Sequence, residues 1–324
     1  MTQPASFLYL SRQALEDLGI TTAQAVDSLE RLIRARVDSK AWAAPKAVIQ
    51  PPDGRYMMAT LTAADDPPLL ATKSVILNPR NTERGYPQIN GLITLLDSET
   101  GFPVAVVDGN WVTGVRTAAA SAIAARRLAR PDSRVMGFVG CGVQARNHLK
   151  LFSDLFPLKD IRVFGRGAAN REALCQMAMD MGLKASDCET ARSAVEDADI
   201  VVTSVTLATG TKPFIDAHWL KPGVFVSSTD LAIPWIPESM DMFERIVIDD
   251  LEQEASMQTP LVDPALVKGD LGGLVTGTVD QRQTKEERTA FVFRAVALGD
   301  LALAGLAWQQ ARDISKGQEI FSRE

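Results

Sequence analysis

Apolar positions change their spacing several times along the chain. Between Leu15 and Val37 they recur at helical intervals through Leu18, Ala25, Leu29, Leu32 and Ile33, with Thr21 and Thr22 offering an N-cap, so the stretch predicts one or two helices. From Ala47 to Asp108 the pattern breaks into short runs, KAVIQ, RYMMATL, LLATKSVIL, GLITLLD and PVAVVD, divided by the turn signals PPDG and DSETG. No helical run interrupts them, which predicts a mostly antiparallel sheet. After Thr113 the alanine-rich RTAAASAIAARRLAR predicts a helix ending before Pro131. Strand and helix then alternate: the run Val135 to Val139, a helix to about Phe156, IRVFG, a helix from Asn170 to Met181, the helical ARSAVEDA, then DIVVTSVT, GVFVSSTD and ERIVIDD. Such alternation is the mark of a doubly wound parallel sheet. The last apolar stretch, from Glu286 to about Ser315, predicts a helix that packs back on the first domain. The expected class is therefore α/β: a Rossmann-type parallel sheet over residues 116–291, and a second, α+β substrate and dimerisation domain from 1–115 plus 292–324.

Composition changes this picture only by exclusion. At 324 residues, 46% hydrophobic and 23% charged, the chain reads as a soluble two-domain protein. A net charge of −6 argues against nucleic acid and against a basic membrane-surface protein, because both need positive fields. The N-terminal stretch lacks a signal-peptide pattern and no apolar run reaches spanning length, so a cytoplasmic location is expected. Cys141, Cys175 and Cys188 show no CxxC spacing, which fits reduced thiols and no metal site. The two histidines, His148 and His218, read as structural.

The candidate chemistry starts at GFVGCGVQARNHL. Strand, glycine turn and helix follow one another there, with Gly140, Gly142 and Ala145 at the three fingerprint positions of a dinucleotide loop and Val143 and Gln144 opening the helix. In a parallel sheet ligands gather beyond the carboxyl ends of strands, where Gly140, Arg166, Val205 and Asp230 lie. The second strand ends in Arg166, with Asn170 and Arg171 nearby and no acid for a ribose hydroxyl; this leans towards NADP(H) without excluding NAD(H). Lys73 interrupts the apolar LLATKSVIL, either as a strand lysine reaching for solvent or as a base tuned by burial. Arg116 opens a small-residue helix, as a ligand-facing guanidinium or a boundary charge. Asp230 ends GVFVSSTD, as an acid/base residue or a turn cap.

Together TKSVILNPRN, LLDSETGFPVAVVDGNWVTGVRTAAASA, GFVGCGVQARNHL, DADIVVTSV, KPGVFVSSTD and LGDLALAGLA resemble the ornithine cyclodeaminase and μ-crystallin family over most of the chain. The resemblance implies an NAD(P)-dependent enzyme that interconverts amino and imino acids, a homodimer formed through the antiparallel domain, and a small imino or amino acid as substrate. It also implies roles: Lys73 as the catalytic lysine, Asp230 as the catalytic aspartate, Arg116 as the carboxylate-binding arginine. Two departures bear on the substrate. Pro45-Lys46 stands where many relatives have an arginine, leaving Lys46 as a point charge for a carboxylate. The following strand, GRYMMA, has no acid for a distal ammonium, which disfavours ornithine, while Arg55 suggests a second carboxylate and hence a dicarboxylic imine such as iminosuccinate. The alternatives are reduction of a cyclic ketimine such as pyrroline-2-carboxylate, alanine dehydrogenation, or a non-catalytic μ-crystallin-like binding protein. A 2-hydroxy-acid dehydrogenase would want a histidine beside a carboxylate at a strand end, and neither histidine lies there.

Overall fold

A computed structural model of the chain describes residues 6–206 and 210–321. The chain divides into two compact units, with breaks between Arg116 and Thr117 and between Val296 and Ala297. The first carries β1 (Ser6–Leu10), α1 (Arg12–Asp17), α2 (Thr22–Val37), β2 (Ala41–Ala43), β3 (Ala47–Ile49), β4 (Tyr56–Asp65), β5 (Pro68–Leu77), β6 (Ile89–Asp97) and β7 (Pro103–Asp108). Helix α3 (Gly109–Leu128) follows and crosses the first break. The second unit carries β8 (Val135–Val139), α4 (Val143–Leu155), β9 (Asp160–Phe164), α5 (Ala168–Asp180), β10 (Lys184–Asp187), α6 (Ala191–Val195), β11 (Ile200–Thr203), β12 (Phe225–Ser228), β13 (Arg245–Ile248), α7 (Leu251–Ala255), β14 (Val267–Asp270), α8 (Leu271–Thr276) and β15 (Thr289–Val292). The chain then returns to the first unit as α9 (Leu298–Asp313) and β16 (Gln318–Phe321).

In the first unit the strands run in the order β16-β1-β7-β6-β5-β4-β2, with β3 also on β4. Every described pairing is antiparallel except β1 with β7. Period-two alternation gives this sheet two faces. On one, Thr60, Thr62 and Ala64 of β4 and Leu69, Ala71 and Lys73 of β5 are buried, and α9 packs on β4, β5 and β6 and against α2. A capping box starts α2: Thr21 Oγ1 accepts from the Gln24 N–H at 3.2 Å, and the Gln24 side chain accepts from the Thr21 N–H at 2.9 Å. Its apolar stripe, Ala25, Val26, Leu29, Leu32 and Ile33, is the buried one. The other sheet face leaves Trp42, Ile49, Met57, Leu61 and Leu92 between 44% and 66% exposed.

The second unit is a parallel sheet in the order β10-β9-β8-β11-β12-β15-β13-β14, the doubly wound α/β arrangement that the alternation predicts. Its central strands β11, β12 and β15 are buried at every position, which explains their unbroken apolar and small-residue runs.

Three local expectations change. The stretch from Glu286 is not one helix: Thr289–Val292 is β15, inserted between β12 and β13, and helix begins only at Leu298. A buried strand and a buried helix segment are equally apolar, so spacing alone merges them. Helix α3 starts at Gly109, ahead of Thr113, because Asp108 Oδ1 accepts from the Trp111 N–H at 2.7 Å and caps it. The second break falls at 296/297, where sequence pattern suggests 291/292, since all of β15 belongs to the parallel sheet. Residues 1–5 and 322–324 of the expected first domain lie outside the described residues.

Candidate functional site

The apolar pattern of β5 points Lys73 towards the covered face of the first sheet, directly across from Thr60 of β4. There it meets charges from two helices. Lys73 Nζ lies 2.8 Å from each carboxylate oxygen of Asp300 in α9, and Arg116 Nε of α3 lies 3.2 Å from Asp300 Oδ1. The Thr60 hydroxyl donates to Asp300 Oδ2 at 3.4 Å. All three ionisable residues are at most 4% exposed. Ionised, they set two cations around one buried carboxylate, a local charge pattern suited to an arriving anion. Burial is the main force on Lys73 and Arg116 adds to it; Asp300 opposes both, and the ammonium pKa falls to about 8. A lysine so tuned exists in both protonation states near neutrality and can give or take a proton.

In the second unit β8 delivers the glycine loop. Gly140 has φ +94°, and a Cβ there would stand 2.5 Å from the Ser204 carbonyl oxygen, so the turn admits only glycine. Gly142 N-caps α4 without a side chain, and nothing lies within 4 Å of where its Cβ would be. The first N–H groups of a thirteen-residue helix thus face open space, the local requirement for a phosphate. Ala145 is fully buried against the strand. Val143 opens the helix at 56% exposure. Gln144 gives its carbonyl to His148 Nδ1 at 2.8 Å, while His148 Nε2 faces Ser121 Oγ at 2.8 Å and Ser227 Oγ donates to the same oxygen. Burial holds the His148 pKa near 4, so the ring is neutral: Nδ1–H donates to the carbonyl and Nε2 accepts. It is a strut between α3, α4 and β12. The exposed His218 pairs with Asp216 at 2.7 Å.

Asp230 lies two residues beyond β12 and is 1% exposed. Ser228 Oγ and Thr203 Oγ1 donate to Oδ1 at 2.7 and 2.9 Å, and the Val205 N–H donates to Oδ2 at 2.9 Å. Burial raises its pKa, with these three hydrogen bonds pulling the other way. The next two residues, Leu231 and Ala232, have φ of 59° and 56°, a strained pair of left-handed non-glycine residues held by their surroundings.

The structure therefore gathers Lys73 and Arg116 in one cluster and sets Gly140, Gly142, Val143, Gln144, Val205 and Asp230 along the carboxyl ends of β8, β11 and β12. Arg166, just past β9, is exposed and makes no hydrogen bond or ion pair among the described residues, whereas Arg171 is committed to Asp187 and the Gly165 carbonyl. Lys46 is half-buried in the link between β2 and β3. Arg55 corrects an expectation: it lies on the exposed turn before β4, where its Nε is 2.8 Å from Asp53 Oδ2 and its own N–H donates to Oδ1. The turn acid two residues earlier takes the guanidinium, a pairing that the sequence reading does not include. Asp300 is the residue that the sequence reading misses. Its signal is an acid in the otherwise apolar VALGDLALAGLA, since carboxylates are almost never fully buried unless paired.

The family model for the ornithine cyclodeaminase/mu-crystallin family matches residues 10–315. The chain belongs to this family. An alanine dehydrogenase of Archaeoglobus fulgidus is 29% identical over 97% of the chain and 98% of its own length. Among solved structures, the Delta(1)-pyrroline-2-carboxylate reductase of Thermococcus litoralis in complex with NADH and L-proline superimposes with a TM-score of 0.89 at 27% identity, covering 97% of the chain and all of that protein. An archaeal alanine dehydrogenase dimer with bound NAD gives 0.86 at 27%, covering 97% and 99%. As a member of the ornithine cyclodeaminase/mu-crystallin family the chain is a nicotinamide-dependent oxidoreductase. Among the described residues no helix is long and apolar enough to cross a membrane.

Proposed function

We propose that this family member reduces a small monocarboxylic α-imino acid to the amino acid with NAD(P)H, or runs the reverse. The observation that carries the reading is the buried cluster of Lys73, Arg116 and Asp300, in which two cations meet at one carboxylate. Arg116 would hold that carboxylate, Lys73 would exchange a proton near the imine nitrogen, and Asp230 would handle a second proton. The loop at Gly140 and Gly142, with the start of α4, would cradle the pyrophosphate, and Val143, Gln144 and Val205 would flank the cofactor. When bound, the nicotinamide supplies or accepts the hydride at Cα. The dicarboxylic reading rested on Arg55, which in this structure pairs with Asp53. Alanine dehydrogenase and pyrroline-2-carboxylate reductase, two of the relatives aligned over nearly the whole chain, act on monocarboxylates.

A panel of pyrroline-2-carboxylate, pyruvate with ammonia, oxaloacetate with ammonia, and ornithine, each with NADH and NADPH, tests this. Turnover of one of the first two should be fastest. A preference for oxaloacetate would overturn the monocarboxylate reading, and silence on the whole panel would overturn the reductase reading. Exposed Arg166 keeps NADPH acceptable; strict NADH dependence would remove that residue from the cofactor site.

The open sheet face is read as the dimer contact. Trp42, Ile49, Met57, Leu61 and Leu92 form an apolar surface of a kind that single soluble chains rarely leave in water. The archaeal alanine dehydrogenase is itself a dimer. Leu61→Glu, at the middle of that face, should convert a dimer into a monomer in light scattering; an unchanged mass would move the contact elsewhere.

A further inference from the structure

The last helix brings to the first unit an acid that has so far only been located. Asp300 places both carboxylate oxygens 2.8 Å from Lys73 Nζ and one of them 3.2 Å from Arg116 Nε. The preceding residue is part of the arrangement: a Cβ on Gly299 would come within 3.1 Å of Arg116 Cδ and 3.2 Å of its Cβ, so the arginine stem lies across Gly299. Thr60, directly opposite Lys73 in the sheet, donates to the other Asp300 oxygen. Strand β5, helix α3 and helix α9 thus converge on one carboxylate, and the dipeptide Gly299-Asp300 both admits and anchors the arginine.

Resting on the functional reading above, we propose that Asp300 is the positioning residue of this site: it holds Lys73 and Arg116 in fixed register and keeps the lysine protonated for its proton transfer. The physical need is plain. Two cations buried this close repel each other, and without an anion the cheaper response is for the lysine to shed its proton. The charged groups facing Lys73 are Arg116 from α3 and Asp300 from α9; from β4 it faces the uncharged Thr60 hydroxyl. Asp300 makes these contacts within the cluster, so its part is to act through the two cations.

A purely architectural ion pair, tying α9 to the sheet, would share the geometry and shift the lysine as well, but the alkaline limb of kcat/KM would not follow the lysine. The test uses Asp300→Asn and Asp300→Glu in the full chain. The Lys73 Nζ signal of [15N]lysine-labelled protein, assigned with Lys73→Met, is titrated alongside the pH dependence of kcat/KM and the affinity for NADH. Asp300→Asn should lower the Lys73 midpoint by about one to three pH units and move the alkaline limb of kcat/KM with it. Its kcat at neutral pH should fall with the protonated fraction, about 2-fold for a shift of one unit and about 100-fold for three, while KM for the imino acid does not rise, because Arg116 still faces the carboxylate. Asp300→Glu keeps the charge but displaces it, so the midpoint stays near that of the parent while kcat drops. An unchanged midpoint in Asp300→Asn, in protein that still binds NADH, overturns the proposal. A parent enzyme inactive on every imino acid would sink the functional reading, and the NMR titration would still decide the role of Asp300.

Discussion

Lys73→Met is expected to lower kcat by about 10²–10⁴-fold while leaving NADH affinity within a factor of a few. Methionine is unbranched and close in size, so the space against Thr60 and α9 stays filled. The cofactor loop lies in the other unit and keeps its geometry. What disappears is the proton donor and one of the two cations beside Asp300, so KM for the imino acid should rise as well. Stability gives an independent check. The lysine pKa falls from 10.5 to about 8 on folding, so the folded chain binds fewer protons than the unfolded one between those values, and stability rises with pH across that window. Below about pH 8 the buried ammonium carries the full cost of that shift, roughly 3 kcal/mol. Lys73→Met escapes it. In denaturant titrations the variant should therefore be favoured most near neutrality, with its advantage shrinking towards pH 10.5. Turnover within tenfold of the parent would remove Lys73 from the chemistry.

How far the site could be read beforehand depended on whether each residue's environment was local in sequence. Lys73 stood out because its own strand is apolar, and the glycine loop because its turn and helix are contiguous. The parallel α/β architecture followed from alternation over long stretches. Asp300 could not be read the same way, because its partners are fixed only by tertiary contacts: Lys73 lies 227 positions away, and helix α9 returns to a sheet that the chain left long before. Strand β15 was hidden for a related reason, since full burial on both faces erases the alternation that would distinguish it from α9. Arg55 differs again: its partner Asp53 stands in plain view in PPDG, a turn signal whose acid also pairs with the guanidinium two residues on.

Asp230→Asn is expected to separate activity from stability, costing about 10²–10⁴ in kcat while melting no lower than the parent at neutral pH. The carboxylate is fully buried and its pKa is raised on folding, so the folded chain holds its proton more tightly than the unfolded one. Stability from this group is present below the unfolded value of 3.8 and is lost as pH rises through the folded value, so at higher pH burying this acid is a net burden on folding. An amide lifts that burden without stranding its neighbours. Its oxygen can accept the Val205 N–H, and the Ser228 and Thr203 hydroxyls can rotate to accept from the NH₂ group. Asp230→Ala offers nothing to the same three donors, and each unpaired buried donor costs about 1–3 kcal/mol. That variant should lose several kcal/mol in denaturant unfolding as well as activity. The left-handed pair Leu231 and Ala232 should relax with it, because the hydrogen bond from the Ala232 N–H to Ser228 Oγ belongs to the same network. An Asn variant that keeps its turnover, or melts well below the parent, would make Asp230 a structural cap, and the second proton of the reaction would need another owner.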